Sequence, residues 1–199
     1  MTISKVGIAN LALNKLGQSA IASFTEDNAR ALAVNLVYDI SLDTVLRTHR
    51  WNFALKRASL TRLSETPPFG FSYYYQLPSD FVRFARMELL SSDFRIEGDR
   101  LLSDSDTAKI IYVHHATNTN LYDPLFVQAF VHRLAADLAR QLTGSIDTVS
   151  QMEQLSKLAI DEARYIDSLE SPDLQHEPSN FIESRVSGDT YRPISDTSS

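Results

Sequence analysis

Apolar residues recur every three or four positions at the start of the chain, which is the spacing of one helix face. The first such run, residues 2–16, is followed by Gly17, a residue type that readily adopts the left-handed conformation at a helix end. A second helix is predicted from an N-cap at Thr25 to about His49. Its inward stripe is predicted to comprise Ala29, Leu32, Ala33, Leu36 and Ile40.

Two more helices are predicted in the second half of the chain, after residue 116. Asp123 followed by Pro124 is a typical helix start, since proline at the first helical position loses no hydrogen bond. The core stripe of this helix is predicted at Val127, Val131, Leu134, Leu138 and Leu142, with Gly144 ending it. The last helix begins at Asp147, and its stripe is predicted at Met152, Leu155, Ala159, Ala163 and Ile166.

Between these helices, residues 51–116 are rich in β-branched and aromatic side chains, with short polar interruptions. Strands are predicted near 54–63, 71–77, 82–90, 94–97, 100–103 and 108–115. The segment Glu97-Gly98-Asp99 is the best hairpin turn, because glycine tolerates the positive φ that tight turns need.

These elements predict an α+β fold, a roughly four-helix bundle with a β-rich insertion and an extended C-terminal arm. The predicted units are N-terminal helices over 1–50, the insertion over 51–116 and a helical pair completing the bundle over 117–170. Residues 171–199 form the last unit, a proline-interrupted, serine-rich stretch with too few apolar residues for a core. A frayed tail and an arm that orders on a partner both fit this composition.

Charge is distributed unevenly along the 199 residues. Residues 1–116 carry 13 Lys and Arg against 12 Asp and Glu, net +1, and residues 117–199 carry 6 against 13, net −7, which together give −6. A tight DNA-binding protein concentrates basic charge, so this balance disfavours that class. No apolar run approaches the roughly 18 residues of a membrane helix, and there are no cysteines, so a soluble protein without disulfides is expected.

The sequence contains no phosphate-binding glycine loop, no H-E-x-x-H zinc motif and no G-x-S-x-G nucleophile elbow. His114 and His115 are adjacent in a predicted strand, so their rings are expected on opposite faces, unable to chelate one metal together. Asp99, Asp104 and Asp106 could be interpreted as a glycosidase-type carboxylate pair, although hairpin ends are commonly acidic. No catalytic residue, metal or cofactor is predicted.

A basic run with interleaved aromatic residues spans 44–64 and contains no acidic residue. Its cations are Arg47, Arg50, Lys56, Arg57 and Arg62. Such a run suits nucleic-acid backbone contact and stacking, and it suits ion pairs with an acidic neighbouring subunit, which we favour. Tyr73, Tyr74 and Tyr75 are consecutive in a predicted strand, and packing on the helices and contact with another subunit both account for them.

Several segments in a fixed order resemble the head-to-tail adaptors of short-tailed bacteriophages, the tail tubular protein A family. These segments are 50–54 (RWNFA), 58–60 (ASL), 75–81 (YQLPSDF), 95–104 (RIEGDRLLSD), 123–126 (DPLF) and 142–145 (LTGS). They extend over roughly residues 1–170, and their order and spacing carry more weight than any one segment.

The resemblance implies a structural virion protein that joins the capsid portal to the tail. It implies a ring of twelve copies around the DNA ejection channel, contact with the portal and with another tail or nozzle protein, and passage of genomic DNA without specific binding. It implies no membrane partner, no enzymatic activity, and location in the neck or tail of a virion after synthesis in the host cytoplasm. A tail-associated hydrolase of cell-wall or capsule glycans is the alternative function.

Eight residues are the candidate contacts with neighbouring subunits or the portal. They are Arg50, Arg57, Tyr73, Tyr74, Tyr75, Phe181, Ile182 and Tyr191. The last three are apolar anchors in the predicted arm, spaced as they would be along an extended peptide that docks on a partner.

Overall fold

The computed structural model describes residues 3–88 and 93–170 of the chain. Within them lie four α-helices: α1 Lys5–Lys15, α2 Ala29–Thr48, α3 Pro124–Thr143 and α4 Ile146–Leu169. Gly17 and Gly144 follow α1 and α3 with φ of 68° and 66°, as the sequence predicted. The N-cap of α2 is Asn28 instead of Thr25, because the Asn28 side chain accepts the backbone N–H of Ala31.

Seven strands occupy the middle of the described chain, close to the predicted positions. They are β1 Leu55–Ser59, β2 Thr61–Arg62, β3 Tyr73–Gln76, β4 Phe81–Met87, β5 Phe94–Glu97, β6 Arg100–Ser103 and β7 Lys109–His114. The predicted hairpin at Gly98, with φ of 61°, joins β5 to β6 and is confirmed. One antiparallel sheet has the order β1-β7-β4, and the other has the order β2-β3-β6-β5.

The two faces of the three-stranded sheet contribute to different hydrophobic cores. The sheet therefore lies between the helices and the four-stranded sheet. Val113 of β7 packs into the large core formed by the helices, around Trp51, Phe126 and Phe130. The neighbouring Tyr112 points the other way, into a smaller core with Tyr75 of β3. Successive strand residues point to opposite faces, so a strand covered on both sides alternates between two cores.

The predicted architecture of a helix bundle with a β-rich insertion is therefore wrong. Within the described residues the chain forms a mixed α+β fold of four helices and two antiparallel sheets, with the three-stranded sheet sharing the core of the helices. The helices were predicted near their observed positions, but α2 contacts β4 and β7 of the three-stranded sheet as well as α3. The predicted arm falls outside the described residues.

None of the helices in the described part of the chain combines the length and the low polarity that crossing a bilayer requires.

Candidate interaction surfaces

Helix α2 exposes a row of large aliphatic side chains, which we call the α2 stripe: Leu32, Leu36 and Ile40. Their exposed fractions are 68%, 70% and 66%, although the sequence predicted that they would face the core. The buried face of α2 instead carries Ala31, Ala33, Val34, Tyr38, Ser41, Leu42, Val45 and Leu46. Of the predicted inward residues only Ala33 is buried, so α2 is apolar on two faces and the described chain covers one of them.

Helix α4 leaves a second apolar surface open, which we call the α4 face: Leu158, Tyr165 and Leu169. Their exposed fractions are 68%, 65% and 59%, and their spacing of seven and four residues places them on one side of the helix. The main packing partner of α4 is α3, which covers Met152 and Ala163. Of the other predicted stripe residues, Ala159 is half-buried, and Leu155 and Ile166 are partly exposed.

The three candidate tyrosines occupy different environments on β3. Tyr75 is only 1% exposed and its hydroxyl donates to the carbonyl of Ser105 at 2.6 Å, so its ring belongs to the small core. Tyr73 and Tyr74 are half-buried, and each faces a cation. The guanidinium of Arg62 lies 3.8 Å from the Tyr73 ring centre, and that of Arg100 lies 5.0 Å from the Tyr74 ring centre.

Candidate residue Arg50 joins three other arginines at the corner between α2, β4 and α4. We call Arg47, Arg50, Arg83 and Arg164 the arginine cluster. Arg47 Nη1 donates to the carbonyl of Val82 at 2.6 Å, and Arg83 Nη1 donates to the carbonyl of Arg47 at 3.0 Å. These two bonds attach the end of α2 to β4 and fix two guanidinium groups in place.

The arginine cluster is electrostatically unbalanced. Desolvation lowers the pKa of Arg83, and the positive charges of Arg50, Arg164 and Arg47 lower it further. Within residues 3–88 and 93–170, no carboxylate forms an ion pair with Arg47, Arg50 or Arg83. Arg164 forms an ion pair with Asp161, at 3.5 Å on the same helix. The charges of Arg50, Arg164 and Arg47 are therefore close enough to Arg83 to act on it, and two of the four cations, Arg47 and Arg164, remain exposed to solvent.

The rest of the predicted basic run does not join this cluster. Lys56 on β1 lies 2.5 Å from Asp80 Oδ2, and Arg62 on β2 stacks on Tyr73. Candidate residue Arg57 is exposed on β1, at the edge of the three-stranded sheet. The fold thus divides the run into separate sites instead of forming one continuous basic track.

Asp80, in the YQLPSDF segment, has a structural role. Its Oδ1 accepts the Tyr112 hydroxyl at 2.9 Å, its Oδ2 accepts Lys56, and its carbonyl accepts the backbone N–H of His115 at 2.8 Å. Partial burial acts to raise the pKa of Asp80, but the hydrogen bonds from Lys56 and Tyr112 outweigh it and the pKa is lowered. Asp80 therefore joins the start of β4 to both β1 and β7.

Of the candidate carboxylates, Asp99 lies in the β5–β6 turn, and Asp104 and Asp106 lie in the connection from β6 to β7. Asp104 Oδ1 accepts both the backbone N–H and the hydroxyl of Ser72, each at 2.8 Å. Asp99 and Asp104 stand at opposite ends of β6, about 16 Å apart at roughly 3.3 Å per residue. Glycosidase carboxyl pairs are separated by about 5 to 10 Å, so this pair does not have the spacing of that chemistry.

His114 and His115 point in different directions, as predicted. His114 Nδ1 lies 2.8 Å from the carbonyl oxygen of Ala54, and His115 Nδ1 lies 2.6 Å from Asp43 Oδ1. In the portion of the chain that the structure describes, no three His, Cys, Asp or Glu side chains are grouped so that they could hold a metal ion.

Phe181, Ile182 and Tyr191, the candidate anchors of the arm, lie outside the described residues, and their role stays a prediction. Sequence reasoning found Arg50 and Arg47 but missed Arg83 and Arg164, which come from distant segments. It also assigned the α2 stripe to the core. The signal for that stripe was present in the sequence, because α2 carries two sets of apolar residues at helical spacing.

Comparison of the sequence with protein-family models and with curated proteins gives no significant match.

Proposed function

We propose that the chain is a structural virion protein, a head-to-tail adaptor that forms a ring between the capsid portal and the tail. The observation that carries this proposal is the α2 stripe, three large aliphatic side chains about two-thirds exposed on one helix. The ordered segments that resemble phage adaptors give the stripe its interpretation as a subunit contact. No catalytic residue is part of the proposal.

The α2 stripe has the character of a surface that another protein covers. Single exposed aliphatic residues are ordinary, but a contiguous row on one helix marks an interaction site or an aggregation risk. A helix that is apolar on two opposite sides is normally covered on both. The polar side chains beside the stripe, Asn35 and Asp39, would form the wetter rim of such a contact.

The α4 face is a second apolar patch, different from the α2 stripe. The presence of two different patches affects whether copies form a ring or a two-fold dimer. When one patch of a copy meets another patch of the next copy, the contact is heterologous and generates a ring if the rotation closes. A chain with a single self-complementary patch would instead form a two-fold dimer. Two patches on α2 and α4 therefore favour a ring.

Charge is consistent with a conduit for DNA. Twelve copies would carry 12 × −6 = −72 formal charges, much of them from the acidic C-terminal half. Negative charge facing the channel would keep phosphates from binding the wall as the genome passes. The other partners of the proposal are the portal, a tail or nozzle protein, and the genome without sequence-specific contact.

The proposal is tested by locating the chain in mature particles of the phage that encodes it. Immunogold labelling with an antibody to the purified chain should mark the vertex where capsid and tail meet, and mass spectrometry should find about one copy per portal subunit. Label elsewhere on the particle, or absence of the chain from purified virions, would refute the adaptor function.

A further inference from the structure

The arginine cluster brings positive charges from α2, β4 and α4 near one another. Four guanidinium groups cannot be brought together without electrostatic cost, and that cost is usually met by a carboxylate or a phosphate. Two of the four are held by bonds to backbone carbonyls, Arg47 to Val82 and Arg83 to Arg47. The donors are therefore positioned before any ligand arrives, which lowers the entropy cost of binding one.

Helix α4 is fixed against the same corner, so the position of Arg164 is also defined. Asp167 Oδ2 lies 3.0 Å from His49 Nε2, and Asp167 Oδ1 accepts the backbone N–H of Asn52 at 3.2 Å. His49 and Asn52 flank the Arg50-Trp51 pair in sequence. The end of α4, and the chain that leaves it, consequently start beside the cluster.

The segment that leaves α4 has the complementary charge. Residues 171–184 contain Asp173, Glu177 and Glu183 and no Lys or Arg. Arg164 lies six residues before Glu170, about 9 Å along the helix. Asp173, three residues after Glu170, can be up to about 10 Å from it in an extended chain, a span comparable with the distance back along the helix to Arg164.

We propose that the arginine cluster binds the acidic root of the arm, through Asp173 and Glu177 of the same chain. The arm is defined as residues 171–199. Attachment through so short a connection gives an effective concentration in the millimolar range, so a contact between the cluster and two carboxylates is at least half formed if its bimolecular Kd is millimolar or lower. The contact would fix the direction in which Phe181, Ile182 and Tyr191 leave the subunit. It concerns the single chain and stands whether or not the adaptor function is correct.

A carboxylate ligand fits the cluster better than a nucleic acid does. A duplex binder needs cations along an extended backbone track, because affinity grows with the number of phosphates contacted. Here Lys56 is engaged by Asp80, Arg62 stacks on Tyr73, and Arg57 lies apart on β1, so the cluster is not extended into a continuous basic track. A local cluster of this kind matches two carboxylates of a short peptide.

The test uses a carbodiimide, which joins a carboxylate to a lysine amine only when the two are in direct contact. In the full-length Arg50→Lys chain, and separately in Arg164→Lys, mass spectrometry should find the introduced lysine joined to Asp173 or Glu177. The yield of this cross-link should be at least about ten times that in the matched Arg57→Lys chain. Arg57 lies outside the cluster, so a lysine there is not held near Asp173 and Glu177. The natural Lys56–Asp80 contact, at 2.5 Å, is the positive control in every sample.

Three further measurements make the result decisive. A mixture of isotopically light and heavy chains should give light–light and heavy–heavy products only, and mixed products would overturn the proposal, because the arm would then come from another copy. Asp173→Asn with Glu177→Gln should abolish the product, as should about 1 M salt, where the Debye length is roughly 3 Å. The proposal is overturned if neither lysine variant joins the arm while the control pair forms. It is also overturned if the unmodified chain binds duplex DNA at physiological salt and Arg83→Gln abolishes that binding.

Discussion

Nε2 of His49 lies 3.0 Å from Oδ2 of Asp167, and this contact joins the end of α2 to the last turn of α4. Both side chains are largely buried, and the Asp167 carboxylate and carbonyl also accept two hydrogen bonds from Asn52. One aspartate thus fixes the last helix to the corner that carries the arginine cluster.

Replacing this aspartate should destabilise the fold. Asp167→Ala removes hydrogen bonds at a largely buried site, which typically costs about 1 to 3 kcal/mol of unfolding free energy. Urea denaturation measures the loss. The matched control is Asp161→Ala on the same helix, where the carboxylate is exposed and the effect should stay within about 0.5 kcal/mol. Equal stability of the two variants would show that the contact with His49 does not hold α4.

Stability should fall as the pH drops below about 6.5, the ordinary pKa of histidine, in part because of His132. Desolvation on α3 and the nearby charge of Lys15 lower the pKa of His132 in the folded chain. In this pH range the unfolded chain therefore binds more protons than the folded chain, so acid favours unfolding. His132→Leu should flatten the decrease in unfolding free energy between about pH 7.5 and 5.5. An unchanged slope would assign the pH dependence to other groups.

Truncation after Glu170 should leave a folded chain that cannot join portal rings. The core residues named above all belong to the described part of the chain, so removal of 171–199 deletes none of them. The lost contacts would be those of the arm, with its anchors Phe181, Ile182 and Tyr191. Circular dichroism checks the fold, and co-sedimentation with portal rings checks assembly. Normal incorporation of the truncated chain into virions would refute the docking role of the arm.

Acidic residues of the C-terminal helices should speed the passage of DNA if they face the channel. Glu153→Lys, Asp161→Lys and Glu162→Lys change exposed positions on α4 and spare the structural Asp137 and Asp167. Phages with this triple variant should release their genomes more slowly, because the wall would attract phosphates.

The control for charge alone is the triple variant Asp27→Lys, Asp93→Lys and Asp106→Lys, at exposed positions away from the C-terminal helices. It makes the same change in net charge and should leave the rate of genome release unchanged. Ejection at the original rate in the α4 variant would count against an electrostatic role for this helix.

The sequence predicted the elements better than their arrangement. Strand positions and the hairpin at Gly98 followed from local residue preferences, which depend only on near neighbours. The inward face of α2 did not, because Val34, Tyr38 and Leu42 follow the same spacing as Leu32, Leu36 and Ile40. Only tertiary contacts decide between the two sets: Tyr38 packs edge-to-face on Phe130 of α3, with ring centres 5.0 Å apart.

Tertiary contacts, which the sequence pattern does not show, also decide how the sheets pack and where the arginine cluster forms. Alternating residues of β7 enter two different cores, so its pattern gave no sign that the three-stranded sheet packs on the helices. Arg83 and Arg164 are far from Arg50 in sequence, and only the fold brings their charges together. The predicted basic run contained two of the four cluster residues, Arg47 and Arg50. Its other three cations, Lys56, Arg57 and Arg62, lie elsewhere.

The central claim is that the chain works through contacts between its own copies and the portal. Negative-stain electron microscopy of the purified full-length chain, alone and mixed with portal protein from the same phage, tests it most directly. We expect rings or portal-dependent stacking. The triple variant Leu32→Gln, Leu36→Gln and Ile40→Gln should stay folded, because exposed changes typically cost no more than about 0.5 kcal/mol each, but should form neither.

Phe69→Gln with Leu121→Gln removes exposed apolar side chains away from the α2 stripe and should assemble normally. A chain that remains a single particle at every concentration and never associates with portal rings would contradict the account. Assembly by the stripe variant that matched the unmodified chain would show that the rings use other surfaces.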